Sequence, residues 1–177
     1  MSPASDLAPR IRDAALLEGD FLLSSGERSS FYVDKYLFST EPDLLRDVAD
    51  ALAEQIPDGV GRLAGVELGA VPLVVATALA TGLPYVIVRK TAKEHGGSAG
   101  RNVEGRLEAG ERVTLLEDVV TTGTQAVRAA GNLREAGVEV ATIVAVLDRR
   151  EEGGGEIGGF PFRALLKMED LRVVKRD

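Results

Sequence analysis

Cysteine and tryptophan are both absent from this chain of 177 residues. Without a thiol there are no disulfide staples and no thiolate zinc site, although the redox compartment stays open. An excess of positive charge is also missing: 21 Lys and Arg stand against 28 Asp and Glu, for a net charge of −7. A general nucleic-acid binder needs a basic face to neutralise phosphates, so that class is excluded. Long apolar runs are lacking too. The most apolar stretch, Val71 to Ala80, is half the length of about 20 residues that a membrane-spanning helix needs. The first segment, Met1 to Asp13, holds Asp6, Arg10, Arg12 and Asp13 and has no apolar h-region. These absences lead us to expect a soluble, cytoplasmic protein with no membrane or nucleic-acid partner.

What is present suits one compact domain. Hydrophobic residues make up 45% of the chain, enough for a sizeable core. Apolar runs alternate with glycine-rich turns, and no internal repeat is visible. Thr40 is placed to cap a helix with Pro42 and Asp43 in its first turn. Leu44, Leu45, Val48, Leu52 and Ile56 then recur at helical spacing up to Pro57-Asp58-Gly59. Leu63 to Leu68 reads as a short strand. Pro72 opens an apolar helix that Thr81-Gly82 closes, and Tyr85 to Val88 reads as a strand buried on both faces. Val113 to Leu116 is another buried strand, followed by a helix that buries Ala126, Val127, Ala130 and Leu133 and stops at Gly137. Val140 to Leu147 is the last strong strand. Strands alternating with helices imply crossovers, hence an α/β fold with a mainly parallel, doubly wound sheet. Residues 40–148 would form its core. Residues 1–39 and part of 149–177, with weaker periodicity, would form a small hood over one edge.

In open α/β sheets ligands sit beyond the carboxyl ends of strands, so chemistry-bearing residues should follow the strands. The most informative segment is Leu115 to Gln125, LLEDVVTTGTQ. A buried strand delivers Glu117 and Asp118. The hydroxyl-rich turn Thr121-Thr122-Gly123-Thr124 then opens a helix, whose free N–H groups and positive dipole end make an anion cradle. A Thr-rich turn alone opens an ordinary helix as readily as it binds phosphate. Two carboxylates upstream favour a ribose 5-phosphate, with phosphate on the turn and sugar hydroxyls or hydrated magnesium on the acids. No Gly-Lys-Ser/Thr follows, so this is not a Walker loop.

The segment after Val88 carries Arg89, Lys90, Lys93 and the sole histidine, His95, and runs into glycine-rich sequence up to Gly105. Such composition reads as a mobile loop bearing cations. Asp148-Arg149-Arg150 ends the last strong strand, where an arginine fork suits a planar anion.

These segments, from Asp20 to Gly153, resemble the type I phosphoribosyltransferases, and among them the orotate phosphoribosyltransferases. LLEDVVTTGTQ resembles the motif that binds 5-phosphoribosyl 1-pyrophosphate (PRPP). Arg-Lys-x-x-Lys-x-His-Gly resembles the orotate enzymes' catalytic loop, which closes over a neighbouring subunit's site. The resemblance implies that Arg89, Lys90, Lys93 and His95 grip pyrophosphate, partly across a homodimer with shared active sites. It implies that Glu117 and Asp118 bind ribose hydroxyls. Val119, Val120, Thr121, Thr122, Gly123, Thr124 and Gln125 would surround the rest of PRPP, with Thr121 and Arg149 touching orotate. Lys93, His95 and Asp118 would be the catalytic residues and Mg²⁺ the cofactor, held through PRPP and water near the two acids rather than by direct protein ligands. Phe31 and Tyr32 match aromatics beside the base, or else pack the hood onto the sheet.

Two positions depart from the family. Many members carry a lysine at Ser24, and a Tyr-Lys pair at Leu68-Gly69. Here Gly69 and Ala70 are expected to leave room for pyrophosphate at backbone N–H groups. The implied reaction joins orotate to PRPP, giving orotidine 5′-monophosphate and pyrophosphate in the synthesis of UMP. Transfer to another base, or a non-catalytic PRPP-sensing regulator, are the alternatives. The regulator is disfavoured by the acidic balance and by the Arg-Lys-x-x-Lys-x-His loop.

Overall fold

A computed structural model of the chain describes residues 4–22, 26, 28–91, 102–150 and 153–171. The elements run in the order α1 (Ala4–Ala15), β1 (Leu16–Leu22), β2 (Arg28–Val33), α2 (Lys35–Ser39), α3 (Pro42–Ala53), β3 (Arg62–Val66), α4 (Ala70–Thr81) and β4 (Tyr85–Val88). Then come β5 (Val103–Glu104), β6 (Arg112–Val120), α5 (Thr124–Glu135), β7 (Glu139–Asp148), β8 (Glu156–Ile157), β9 (Phe160–Lys167) and α6 (Met168–Leu171). The central sheet has the order β5-β4-β3-β6-β7-β9-β8. Its five inner strands are parallel, and the short edge strands β5 and β8 are antiparallel to their neighbours. The mainly parallel, doubly wound α/β sheet read from the sequence is therefore present.

The winding creates a crevice. From β3 the chain crosses through α4 to β4 on one side, and then returns to β6 on the other side of β3. Leu73, Val74 and Ala78 of α4 join Leu44, Val48 and Leu52 of α3 in the apolar layer on one face of the sheet. Ala126, Ala129, Ala130 and Leu133 of α5 pack with Ala64, Val86, Leu115 and Ile143 on the other. The loops leaving β3 and β6 therefore diverge to opposite faces, and a ligand can enter between them. Burying such leucines contributes about 2 kcal/mol each, which holds both loop bases rigid.

Several local expectations differ in detail. The helix after Thr40 starts at Pro42 with Glu41 before it, whereas the Thr40 hydroxyl donates to the Tyr36 carbonyl (2.6 Å) and closes α2. The helix expected from Pro72 begins two residues earlier, at Ala70, with Pro72 inside its first turn. Val127 is half-buried, and Ala129 takes the buried place on α5. The strand expected to end at Leu116 continues as β6 to Val120, with Glu117 paired opposite Ala145 of β7.

The division between core and hood also shifts. β1 and β2 form a separate two-stranded sheet. Leu7, Ile11 and Ala15 of α1, by contrast, enter the main apolar core beside α3, and Leu171 of α6 joins them there. Phe160–Lys167 extends the central sheet beside β7 instead of joining the hood. Its alternation, with Phe160, Phe162 and Leu166 buried, is the period-two pattern of a strand. No helix among the described residues is long and apolar enough to cross a membrane.

Candidate active site

The crevice at the ends of β3 and β6 is a cleft of about 500 Å³. Five separate stretches of sequence supply its walls: Tyr32, Val33 and Lys35; Val66 and Glu67; Lys90; Glu117 to Ala126; and Arg149. The residues chosen from LLEDVVTTGTQ, Glu117 through Gln125, all line it.

The two acids lie within β6 itself, where the pleat sends successive side chains to opposite faces. Asp118 turns toward α2 and the loop after β3. Its Oδ2 is 2.7 Å from Lys35 Nζ, and its Oδ1 accepts from the Val119 N–H at 2.6 Å. Burial pulls the Lys35 pKa down, but the hydrogen bond and charge of Asp118 outweigh it, so the net shift is upward. The ammonium group stays charged.

Gly69 explains how this pair fits. A Cβ built on Gly69 would lie 1.6 Å from Asp118 Oδ2 and 3.1 Å from Lys35 Nζ. The space that a side chain on Gly69 would take is therefore filled by the Asp118 carboxylate. Glycine is required there sterically, since its φ of −67° is open to any residue.

Glu117 is 6% exposed. Burial first, and the charge of Asp118 second, push its pKa up to about 8 against the pull of Lys35 and Lys90. Raised from an ordinary value of 4.5, this group stabilises the fold fully below that value, and the contribution is lost as pH rises through 8. The permanently neutral Glu117→Gln variant loses nothing over the same range. Its unfolding free energy relative to the native protein should therefore rise by about 2 kcal/mol between pH 6 and pH 8. Denaturant unfolding at both pH values measures this, and a difference independent of pH would show that Glu117 ionises normally.

Beyond β6 the chain turns through Gly123, whose φ of +80° is the left-handed region glycine adopts freely, into α5. The helix has no side-chain acceptor at its N-cap. Thr122 and Thr124 pair their hydroxyls at 3.0 Å on the exposed rim. First-turn N–H groups and threonine hydroxyls thus converge on one spot, as an anion requires.

The two arginines after β7 divide sharply. Arg150 donates from Nε and Nη2 to the two oxygens of Asp148, both at 2.9 Å, and reaches the carbonyls of Gly154 and Glu156. It also lies over the Phe162 ring at 4.2 Å, so its role is structural. Arg149 is anchored by its N–H to the Val120 carbonyl (2.8 Å), and its side chain lines the cleft with no ion pair among the described residues. It remains a free planar fork.

Of the cationic segment, Lys90 lines the cleft, and its N–H donates to Glu67 Oε1 at 2.7 Å. Arg89 pairs with Glu104 and lines a neighbouring recess of about 90 Å³ with Gln125 and Arg128. Lys93, His95 and Ser24 lie outside the described residues. Of the two aromatics, Tyr32 borders the cleft and touches Phe21 (ring centroids 5.7 Å apart), whereas Phe31 is not in its wall. Sequence reasoning missed Lys35 and Glu67. The available signal for Lys35 was the Asp34 cap, whose Oδ1 accepts from Tyr36 N–H at 3.0 Å and fixes the residue between them.

Comparison with known proteins bears on the family of the chain. The phosphoribosyl transferase domain model matches residues 40–156. The orotate phosphoribosyltransferase of Halobacterium salinarum is 48% identical over 97% of this chain and 98% of its own. That of Natronomonas pharaonis is 51% identical over 85% of each. The solved structure of the Mycobacterium tuberculosis orotate phosphoribosyltransferase in complex with 5-phospho-α-D-ribosyl 1-diphosphate superposes with a TM-score of 0.78. It is 28% identical, covering 96% of this chain and 98% of that one.

Proposed function

From the premise that this chain belongs to the type I phosphoribosyltransferase family, and within it to the orotate phosphoribosyltransferases, we propose how its cleft performs the transfer. The reaction joins orotate to PRPP, giving orotidine 5′-monophosphate and pyrophosphate. What carries the assignment of roles is one cleft holding an acid pair, a threonine-rich helix start and an uncommitted arginine.

The 5′-phosphate sits at Thr121 to Gln125, where N–H groups of the first turn of α5 donate to it. Asp118 accepts from a ribose hydroxyl, and Glu117, its pKa raised to about 8 and so neutral at neutral pH, can donate or accept at another. Arg149 forks onto the planar orotate beside Thr121. Displacement at the anomeric carbon needs no protein nucleophile, so these residues act by aligning base and sugar. Lys90 draws charge toward the departing pyrophosphate, and Lys93 and His95 share that task in our reading. Glu117 and Asp118 offer hard oxygen atoms suited to Mg²⁺, but no cluster of three ligands exists among the described residues. They would hold the ion through water while PRPP supplies direct ligands. Bound there, Mg²⁺ would neutralise pyrophosphate charge.

We place the enzyme in the cytoplasm, because a polyanionic donor does not cross membranes. We also read it as a homodimer with shared sites. Leu68, just before α4, and Leu79 within it are 65% and 83% exposed and offer apolar surface that a second copy would cover.

Incubating the protein with PRPP and magnesium, and with orotate, adenine, hypoxanthine or uracil in turn, tests the function. Orotate alone should be converted rapidly. Turnover of adenine or hypoxanthine in its place would move the enzyme to another base, and no turnover at all would make it a PRPP sensor.

A further inference from the structure

We propose that Lys35 is a donor-binding residue, contacting the pyrophosphate group of PRPP while it holds Asp118 in place. The inference rests on the reading of the cleft as the PRPP site. Lys35 is fixed from three directions. Asp34 caps α2, the Asp34 N–H donates to the Ala15 carbonyl (2.9 Å), and buried Val33 anchors the end of β2. Its side chain thus projects from the start of α2 into the wall of the cleft, at a residue outside every motif of the sequence.

The ammonium group has three N–H donors. One is used on Asp118 Oδ2, and with the side chain 35% exposed the others face open cleft. The neighbourhood fixes which end of the donor they meet. The phosphate cradle at the start of α5 belongs to the face of the sheet that α5 covers, whereas Asp118, Gly69 and Lys35 lie on the α4 side. A donor with its 5′-phosphate on Thr121 to Gln125 and its ribose on the acids directs its remaining phosphates away from α5. Lys35 lies there, beside Gly69, whose lack of a side chain makes room for the Lys35–Asp118 pair.

Calorimetric titration of wild type, Lys35→Met and Lys35→Arg with PRPP and with ribose 5-phosphate, both in magnesium, tests the proposal. Met preserves the length of the stem, and Lys35→Gln serves if the Met variant does not fold. Loss of a charge-assisted contact should weaken PRPP roughly thirtyfold in Lys35→Met. Ribose 5-phosphate, which lacks the pyrophosphate, should lose less than about threefold, and Lys35→Arg should recover most of the PRPP affinity. Equal losses for both ligands would overturn the proposal and leave Lys35 acting only through Asp118. Unchanged PRPP affinity in Lys35→Met would also overturn it. Failure of wild type to bind PRPP would instead remove the functional reading on which it rests.

Discussion

Arg149→Ala should lower the preference for orotate over uracil by about a hundredfold or more, with PRPP affinity little changed. The two bases differ by one carboxylate, so the change isolates the group that meets it. Arg149 and Arg150 are adjacent, but their commitments differ. Arg150 spends its donors on Asp148 and on two carbonyls, and stacks on Phe162. Arg149 keeps its fork free at the cleft among the described residues. Truncating one partner of a desolvated charge pair costs about 2–5 kcal/mol, which sets the hundredfold scale. Arg149→Lys retains the charge but loses the paired donors, and should fall between. Arg150→Ala is expected to lower stability, because it strips Asp148 of its partner. Comparing kcat/KM for both bases across these proteins separates specificity from folding. An unchanged orotate-to-uracil ratio in Arg149→Ala would place the carboxylate contact elsewhere and leave this arginine with a packing role.

The family resemblance picks Arg149 over Arg150, but the residues themselves give no ground for that choice, because both follow the same strand and only a fold decides which one finds Asp148 and Phe162. By contrast, the segment from Leu115 to Gln125 was legible almost completely. Its strand, acids, turn and helix start are contiguous, so local periodicity carries the whole arrangement. What local reading cannot give is the pleat. Glu117 and Asp118 look like one carboxylate pair in sequence, yet β6 continues through both, and they face different surroundings. β9 was hidden for another reason. Pro161 and the glycines before it suggest a turn region, but an edge-proximal strand tolerates a proline where its N–H is not needed. Lys35 was invisible because its relevance depends on Asp118, a partner far away in the chain. The departure at Gly69 was noticed, but its cause is an occupied space, and occupancy is a property of the folded chain.

That occupied space makes Gly69→Ala the substitution with the largest effect for its size. One methyl group, placed 1.6 Å from Asp118 Oδ2 and 2.7 Å from its Cγ, cannot coexist with the carboxylate in its present position. Asp118 is 4% exposed and belongs to a central strand, so its backbone cannot retreat. The side chain must rotate instead, abandoning Lys35 and, on the proposed reading of the cleft, the ribose. Overpacking of this kind costs about 1–3 kcal/mol, and a lost charge-assisted contact to the sugar adds a comparable amount. We expect kcat/KM for PRPP to fall by at least about a hundredfold, with a modest loss of stability. Gly61→Ala serves as the control, since a Cβ there meets nothing within 4 Å. The cause is separable by a double-mutant cycle. In an Asp118→Ala background the obstacle is gone, so adding Gly69→Ala should cost little further PRPP affinity or stability. If the Gly69 substitution proves equally damaging in both backgrounds, the collision with Asp118 is not what reserves this position for glycine, and the loop after β3 must contact the donor through its own backbone.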